Sequence, residues 1–168
     1  MNAATISSAQ VWEWLGEVPD PEIPVISVVD LGIVRNVEWR DQECVVTITP
    51  TYSGCPAMQV IAESIEAALK SHGIAHFTMQ TQLSPAWTTD WMSEAGKNKL
   101  KGYGIAPPAQ QVIDISRLTR KNSNVLQVAC PHCGSTNTRC TSQFGSTPCK
   151  ALYRCDDCLE PFDYFKCH

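Results

Sequence analysis

Apolar positions in the first hundred residues switch between helical and strand spacing. Val11, Leu15 and Val18 share one helical face, and Ser7 or Ser8 stands where an N-cap belongs, which predicts a short amphipathic helix over residues 8–18. It runs into Pro19-Asp20-Pro21-Glu22-Ile23-Pro24, whose three prolines fix φ and give a stiff extended loop. From Leu31 to Trp39 the spacing drops to two, with Leu31, Ile33, Val37 and Trp39 on one face and Asn36 and Glu38 on the other. Arg40-Asp41-Gln42 makes a turn, and the β-branched run Cys44 to Thr49 is the partner strand of a hairpin.

Thr51-Tyr52-Ser53-Gly54-Cys55-Pro56 then leads into a second helix. Pro56 is expected at its first position, Val60, Ile61, Ile65, Ala68 and Leu69 form its buried stripe, and Gly73 follows its end. Residues 74–83 alternate again, with Phe77, Met79, Thr81 and Leu83 on one face, until Ser84-Pro85 breaks the run. Trp87 and Trp91, four apart, suit a core, and a weak helix is expected to reach about Tyr103.

The element order is helix, strand, strand, helix, strand, helix. It predicts an α+β protein whose residues 1–105 form a small α/β sandwich domain with a mixed sheet. Residues 106–125, with Pro-Pro, Gln-Gln and Asn-Ser-Asn steps, read as a linker in which Val112 to Ile115 form a brief strand. Residues 126–168 read as a small all-β ribbon with strand-like runs over 138–144, 150–154 and 162–166.

Hydrophobic residues are 43% and charged residues 18% of the chain, as in an ordinary packed protein. The net charge of −4 argues against nucleic acid and anionic membrane as partners. There is no run of about 20 apolar residues to span a bilayer and no secretory pattern over Met1 to Gln10, so a cytoplasmic location is expected.

Against that background the nine cysteines are distributed unevenly. Cys44 and Cys55 precede residue 126; Cys130, Cys133, Cys140, Cys149, Cys155, Cys158 and Cys167 follow it. In a reducing compartment such a cluster reads as metal ligands before disulfides. Cys130-x2-Cys133 and Cys155-x2-Cys158 are separated by 21 residues, two knuckles able to complete one tetrahedron. Structural zinc is the expected occupant, with an iron–sulfur cluster as the other ion chemistry four thiolates support. A module this small buries too little apolar surface to fold well alone, and metal binding worth about 10–16 kcal/mol offsets the deficit. Cys140, Cys149 and Cys167 are left over as small hydrophobes or as a transient second site. Phe144, Tyr153, Phe162, Tyr164 and Phe165 are either the ribbon's own core or, where exposed, a protein-docking surface. Four basic residues (Arg139, Lys150, Arg154, Lys166) and four acidic ones (Asp156, Asp157, Glu160, Asp163) balance there, against a phosphate-tracking stripe.

Cys55 stands in a Gly-Cys-Pro step at a helix start, where free N–H groups and the helix dipole favour an anion. It is equipped to hold a soft metal, or to be no more than a cysteine in a tight turn. His72 and His76, the candidate bases for a cysteine nucleophile, lie a helix away, so no catalytic residue is assigned and the chain is not expected to be an enzyme itself. Asp20 and Glu22 point to one side of the proline-rich loop and suit a cation, a partner lysine or turn capping.

Asp20-Pro21-Glu22-Ile23-Pro24, Asp30-Leu31-Gly32 and Thr51-Tyr52-Ser53-Gly54-Cys55-Pro56 resemble the signature of the SufT-like and cytosolic targeting factors of iron–sulfur assembly. Four further runs, residues 85–92, 144–147, 149–155 and 161–167, are similar to one branch of it, the PaaD (also called PaaJ) family of bacterial phenylacetyl-CoA epoxidase components in phenylacetate degradation. That resemblance implies a maturation factor that assists iron or iron–sulfur insertion into the oxygenase or reductase subunit. Its alternative is a structural accessory component of the oxygenase without metal delivery. It implies Cys55 as the contact for transient iron or a cluster, with Asp20 and Glu22 beside it. Partners would be the oxygenase or reductase subunits, general iron–sulfur assembly proteins, and a second copy of the chain in a homodimer that pairs two such cysteines.

Overall fold

The computed structural model describes residues 6–52, 54–108 and 128–166. The chain divides into two compact units at Lys99/Leu100.

In the first unit, α1 (Ser8–Leu15) begins at Ser7, whose side chain accepts from the Gln10 backbone while the Gln10 side chain accepts from the Ser7 N–H. This reciprocal pair satisfies amides that a helix start leaves orphaned. Val11 and Leu15 are buried, as their spacing requires, and Val18 is buried just past the helix end. The loop that follows closes on itself: Asp20 N–H donates to Ile26 O at 2.8 Å, and Pro19 bridges Ser27. Ile23 and Ile26 anchor it in the core.

β1 (Val34–Arg40) and β2 (Glu43–Ile48) form the expected hairpin, joined by Asp41 and Gln42 with Asp41 at φ 56°. Asp tolerates this left-handed conformation better than most residues. β1 starts at Val34 rather than Leu31, and a register shift lies between Val34 and Asn36. The extra residue puts Val34 and Val37 both on the buried side, three apart instead of two, and this is why simple alternation misassigned the strand's beginning.

α2 (Ala57–Ser71) buries Ala57, Ile61, Ile65 and Leu69, one strict i, i+4 stripe. Val60, expected in that stripe, is 47% exposed because it sits a 100° step away from Ile61. Pro56 is the N-cap, one position before the expected site. β3 (Phe77–Thr81) runs parallel to β2, giving a mixed sheet in the order β1-β2-β3. β3 is an edge strand with no fully buried residue, and Leu83, beyond its end, is exposed rather than inward-facing. A 3-10 turn (Thr89–Trp91) and α3 (Glu94–Tyr103) follow, and α3 ends at Tyr103 as expected.

The second unit is a four-stranded sheet in the order β4-β7-β6-β5. β5 (Thr138–Ser142), β6 (Lys150–Cys155) and β7 (Pro161–Phe165) are antiparallel neighbours. β4 (Ile105–Ala106) adds in parallel to β7, so the last residue of the anticipated first domain and the first residue of the anticipated linker pair with the ribbon sheet. No sequence signal marks so short a strand. Tyr153, Phe162 and Tyr164 pack with Val128, Ala106 and Ala151 around Cys130 and Cys155. These aromatics are core, as is Phe165; only Phe144 is exposed, at 68%. Val112 to Ile115 lie outside the described residues.

Candidate metal centre and the Cys55 loop

The ribbon places its two Cys-x2-Cys steps in matching turns. Cys130 N–H donates to Ser135 O at 2.9 Å, and Cys155 N–H donates to Glu160 O at 3.0 Å, five residues on in each case. The fifth residue of each turn is left-handed: Gly134 at φ 77° and Leu159 at φ 66°. Glycine adopts this conformation freely; for leucine it costs about 1–2 kcal/mol in steric conflict. Leu159 is also 61% exposed, so burial offsets little of that. Leu159→Gly is therefore expected to raise the stability of the metal-loaded protein by about 1 kcal/mol, read as an upward shift of its thermal midpoint.

The turns bring the sulfurs of Cys130, Cys133, Cys155 and Cys158 within 4.8 Å of one another. Cys130 Sγ to Cys158 Sγ is 3.7 Å and Cys133 Sγ to Cys155 Sγ is 3.6 Å. A tetrahedron with zinc–sulfur bonds of about 2.3 Å has edges of roughly 3.8 Å. These spacings fit an ion at the centre and are far beyond the roughly 2.05 Å of a disulfide. Cys155 is held down to about 7 by the Cys158 backbone N–H, against the effect of burial, with help from the Asp157 N–H and the neighbouring thiols. Cys158 receives the Glu160 N–H, which lowers it, yet burial and Cys133, Cys155 and Cys130 push it up to about 12. One thiol of the set is pushed down and another up, as expected of crowded sulfurs that share hydrogen bonds.

Among the described residues this is the one group of three or more Cys, His, Asp or Glu side chains whose ligand atoms converge. Of the remaining ribbon cysteines, Cys149 is buried beside Thr147 Oγ1, and Cys140 is exposed on β5 opposite Tyr153, so it is no core hydrophobe. Cys167 lies outside the described residues.

Cys55 is half-buried in the turn before α2. Its N–H donates to Tyr52 O and its carbonyl accepts from Met58 N, both at 3.3 Å, and Gly54 supplies φ 83°. His72 sits at the other end of α2, stacked flat on Trp14 with ring centroids 4.0 Å apart. The helix alone separates it from Cys55 by about 25 Å at 1.5 Å per residue. A Cys55–His72 nucleophile pair is thereby excluded. Asp20 is buried, and its Oδ1 accepts from Glu22 N at 2.9 Å and Ile23 N at 2.8 Å, which is turn capping. Glu22 is half-buried on the same loop. Cys55, Asp20 and Glu22 do not converge as a ligand set among the described residues.

Sequence reasoning did not foresee what Asp30-Leu31-Gly32 does. Trp87 Nε1–H donates to Leu31 O at 2.9 Å, and a Cβ on Gly32 would stand 2.5 Å from Trp91 O. Arg35 lies 3.6 Å over the Trp91 ring. Asp30 accepts from Ser93 Oγ and Lys99 Nζ, each at 2.6 Å. Burial alone would raise its carboxyl; the Lys99 and Ser93 hydrogen bonds and the Lys99 charge outweigh it and hold the group below its ordinary value. The tripeptide is thus the seat for the two-tryptophan segment and the start of α3.

An α/β domain carrying one partly open cysteine, followed by a four-cysteine ribbon, defines a two-part protein with an appended metal module. Residues 8–75 match the iron-sulfur cluster assembly protein family, and residues 115–166 match the PaaD zinc beta ribbon domain. A crystal structure of a domain of unknown function from Bacillus anthracis superposes with a TM-score of 0.52 at 26% identity, covering 55% of this chain and 90% of that one. An Fe-S protein maturation auxiliary factor of Porphyromonas gingivalis is 39% identical over 48% of this chain and 77% of its own length. The putative D-subunit of 1,2-phenylacetyl-CoA epoxidase from Escherichia coli is 47% identical over 98% of this chain and 97% of its own. The chain belongs to the PaaD family, the D-subunits of 1,2-phenylacetyl-CoA epoxidases. No helix among the described residues is long and apolar enough to cross a membrane.

Proposed function

We propose that this protein is a maturation factor for a phenylacetyl-CoA epoxidase, and that Cys55 carries iron or a cluster edge to the oxygenase or reductase subunit. The observation that carries the reading is the joining, in one chain, of an iron–sulfur assembly domain to a zinc ribbon, along the full length shared with an epoxidase component of the PaaD family. In this reading the ribbon cysteines hold zinc permanently and the ribbon face around Phe144 docks the client. Cys55 thiolate binds iron as cargo and yields it by ligand exchange to the client's own ligands. A single thiolate is a weak site, which suits transfer, and a homodimer would pair two of them.

Cys55→Ser tests this in cells that lack the native gene. The variant is expected to accumulate as folded, zinc-loaded protein while the oxygenase or reductase is isolated with at least about tenfold less iron, in line with the loss of a metal-contacting group. Normal iron in both client proteins, with the variant bound stably to the oxygenase, would instead favour a purely structural accessory role.

A further inference from the structure

The two knuckles of the ribbon are tied to each other by more than their sulfurs. Asp157, between the cysteines of the second knuckle, accepts through Oδ2 from Ser135 Oγ and through Oδ1 from Asn137 Nδ2 at 2.7 Å. Ser135 and Asn137 follow the first knuckle. Ser135 Oγ accepts in turn from Asn137 N at 3.0 Å, and Asp156 N–H donates to Asn137 O at 2.9 Å. Each end of this link also contacts the metal ligands through its backbone. The Ser135 N–H is hydrogen-bonded to the Cys133 sulfur, and Ser135 O accepts from Cys130 N–H at 2.9 Å. The Asp157 N–H is hydrogen-bonded to the Cys155 sulfur. One side chain–side chain hydrogen bond therefore joins two amides that steady thiolates on opposite knuckles.

We propose that Asp157 and Ser135 form a cross-knuckle clamp that fixes the separation of the two thiolate pairs and so governs how tightly the ribbon keeps its metal. The clamp rests on the reading that Cys130, Cys133, Cys155 and Cys158 hold that metal. It makes Asp157 and Ser135 positioning residues, since neither side chain belongs to the four-cysteine group.

Electrostatics gives the clamp a sign that can fail. A divalent ion with four thiolates carries a net charge of −2, and a carboxylate beside it is repelled. If charge were all that mattered, removing Asp157 would leave metal retention unchanged or improve it. The clamp demands the reverse. Residues that orient first ligands characteristically change metal affinity by about 10- to 100-fold when removed. Asp156, the adjacent acid, has its carboxylate 3.4 Å from Arg139 Nε on β5, beyond Ser135 and Asn137, so it serves as the charge control.

The experiment uses the full chain loaded with zinc and follows transfer of zinc to an excess of a coloured chelator. Wild type, Asp157→Ala, Ser135→Ala, the double variant and Asp156→Ala are compared. Asp157→Ala is expected to release zinc about 10- to 100-fold faster than wild type. Ser135→Ala should accelerate release by at least about fivefold, and the double variant should match Asp157→Ala rather than multiply the two effects, because both changes delete the same link. Asp156→Ala should behave as wild type. Release from Asp157→Ala at the wild-type rate, multiplicative effects in the double variant, or equal acceleration by Asp156→Ala would each overturn the clamp. If Asp157→Ala cannot be isolated loaded, Ser135→Ala decides by itself, because it removes a single hydroxyl: faster release supports the clamp and the wild-type rate refutes it. A wild-type chain without zinc would instead defeat the underlying metal assignment.

Discussion

Replacing Cys155 by serine is expected to abolish the ribbon's metal and unfold the ribbon with it. Cys155 is fully buried, and its sulfur is 3.6 Å from Cys133 Sγ in the group of four. Serine offers a poor ligand in place of a thiolate, and the lost binding, about 10–16 kcal/mol for structural zinc, exceeds what so small a core supplies by itself. The variant should be isolated with no zinc, and trypsin should cut at Lys150 and Arg154, which the folded ribbon holds buried and half-buried on β6. Cys140→Ser changes an exposed thiol outside the group and should leave zinc content and trypsin resistance as they were. A zinc-free Cys155→Ser chain that still resists trypsin would mean the strands hold without the metal.

The second large effect is predicted at Gly32, in the first unit. Gly32 has φ 70°, and a Cβ there would meet Trp91 O at 2.5 Å and Trp91 Cβ at 2.8 Å. Two costs combine in Gly32→Ala: about 1–2 kcal/mol for a left-handed non-glycine residue, and displacement of a backbone segment that Trp87 fastens to Leu31. The total destabilisation is expected to be about 3–5 kcal/mol. Gly73 is the internal comparison, because its φ of 83° is similar but a Cβ there meets nothing within 4 Å. Gly73→Ala should therefore cost only the conformational part, about 1–2 kcal/mol. Urea unfolding followed by tryptophan fluorescence separates the two. Equal losses at both positions would show that backbone conformation alone, and not the seat for Trp91, makes Gly32 necessary.

The features legible in the sequence were those written in local periodicity or fixed spacing. α1 and α2 follow from apolar residues at helical intervals, the β1–β2 hairpin from β-branched runs around Asp41-Gln42, and the ribbon from two Cys-x2-Cys steps. Local pattern failed where tertiary geometry overrode it. The bulge at Val34/Asn36 shifted the strand phase, and the edge position of β3 left Leu83 without a partner surface. β4 is two residues long and exists only because β7 lies beside it. Asp30, Gly32 and the Ser135–Asp157 link join residues distant in sequence, and no spacing rule announces them. The Asp-Asp pair between Cys155 and Cys158, and the Ser and Asn after Gly134, were the visible traces of that link. At Asp20 the residue was noticed, and the structure gives its carboxylate a local task in capping Glu22 and Ile23.

The two groups of sulfur differ in what surrounds them. The ribbon four close on one point, two of them buried, whereas Cys55 stands half-open at the front of α2. A closed set retains its ion; an open single thiolate exchanges one. Anaerobic purification followed by metal analysis, before and after exposure to ferrous iron, puts this contrast to the test in wild type and Cys55→Ser. The account predicts one zinc per chain in both proteins and, with ferrous iron present, iron bound by the wild type alone. Equal iron in the two proteins, or zinc lost along with the Cys55 thiol, would contradict it.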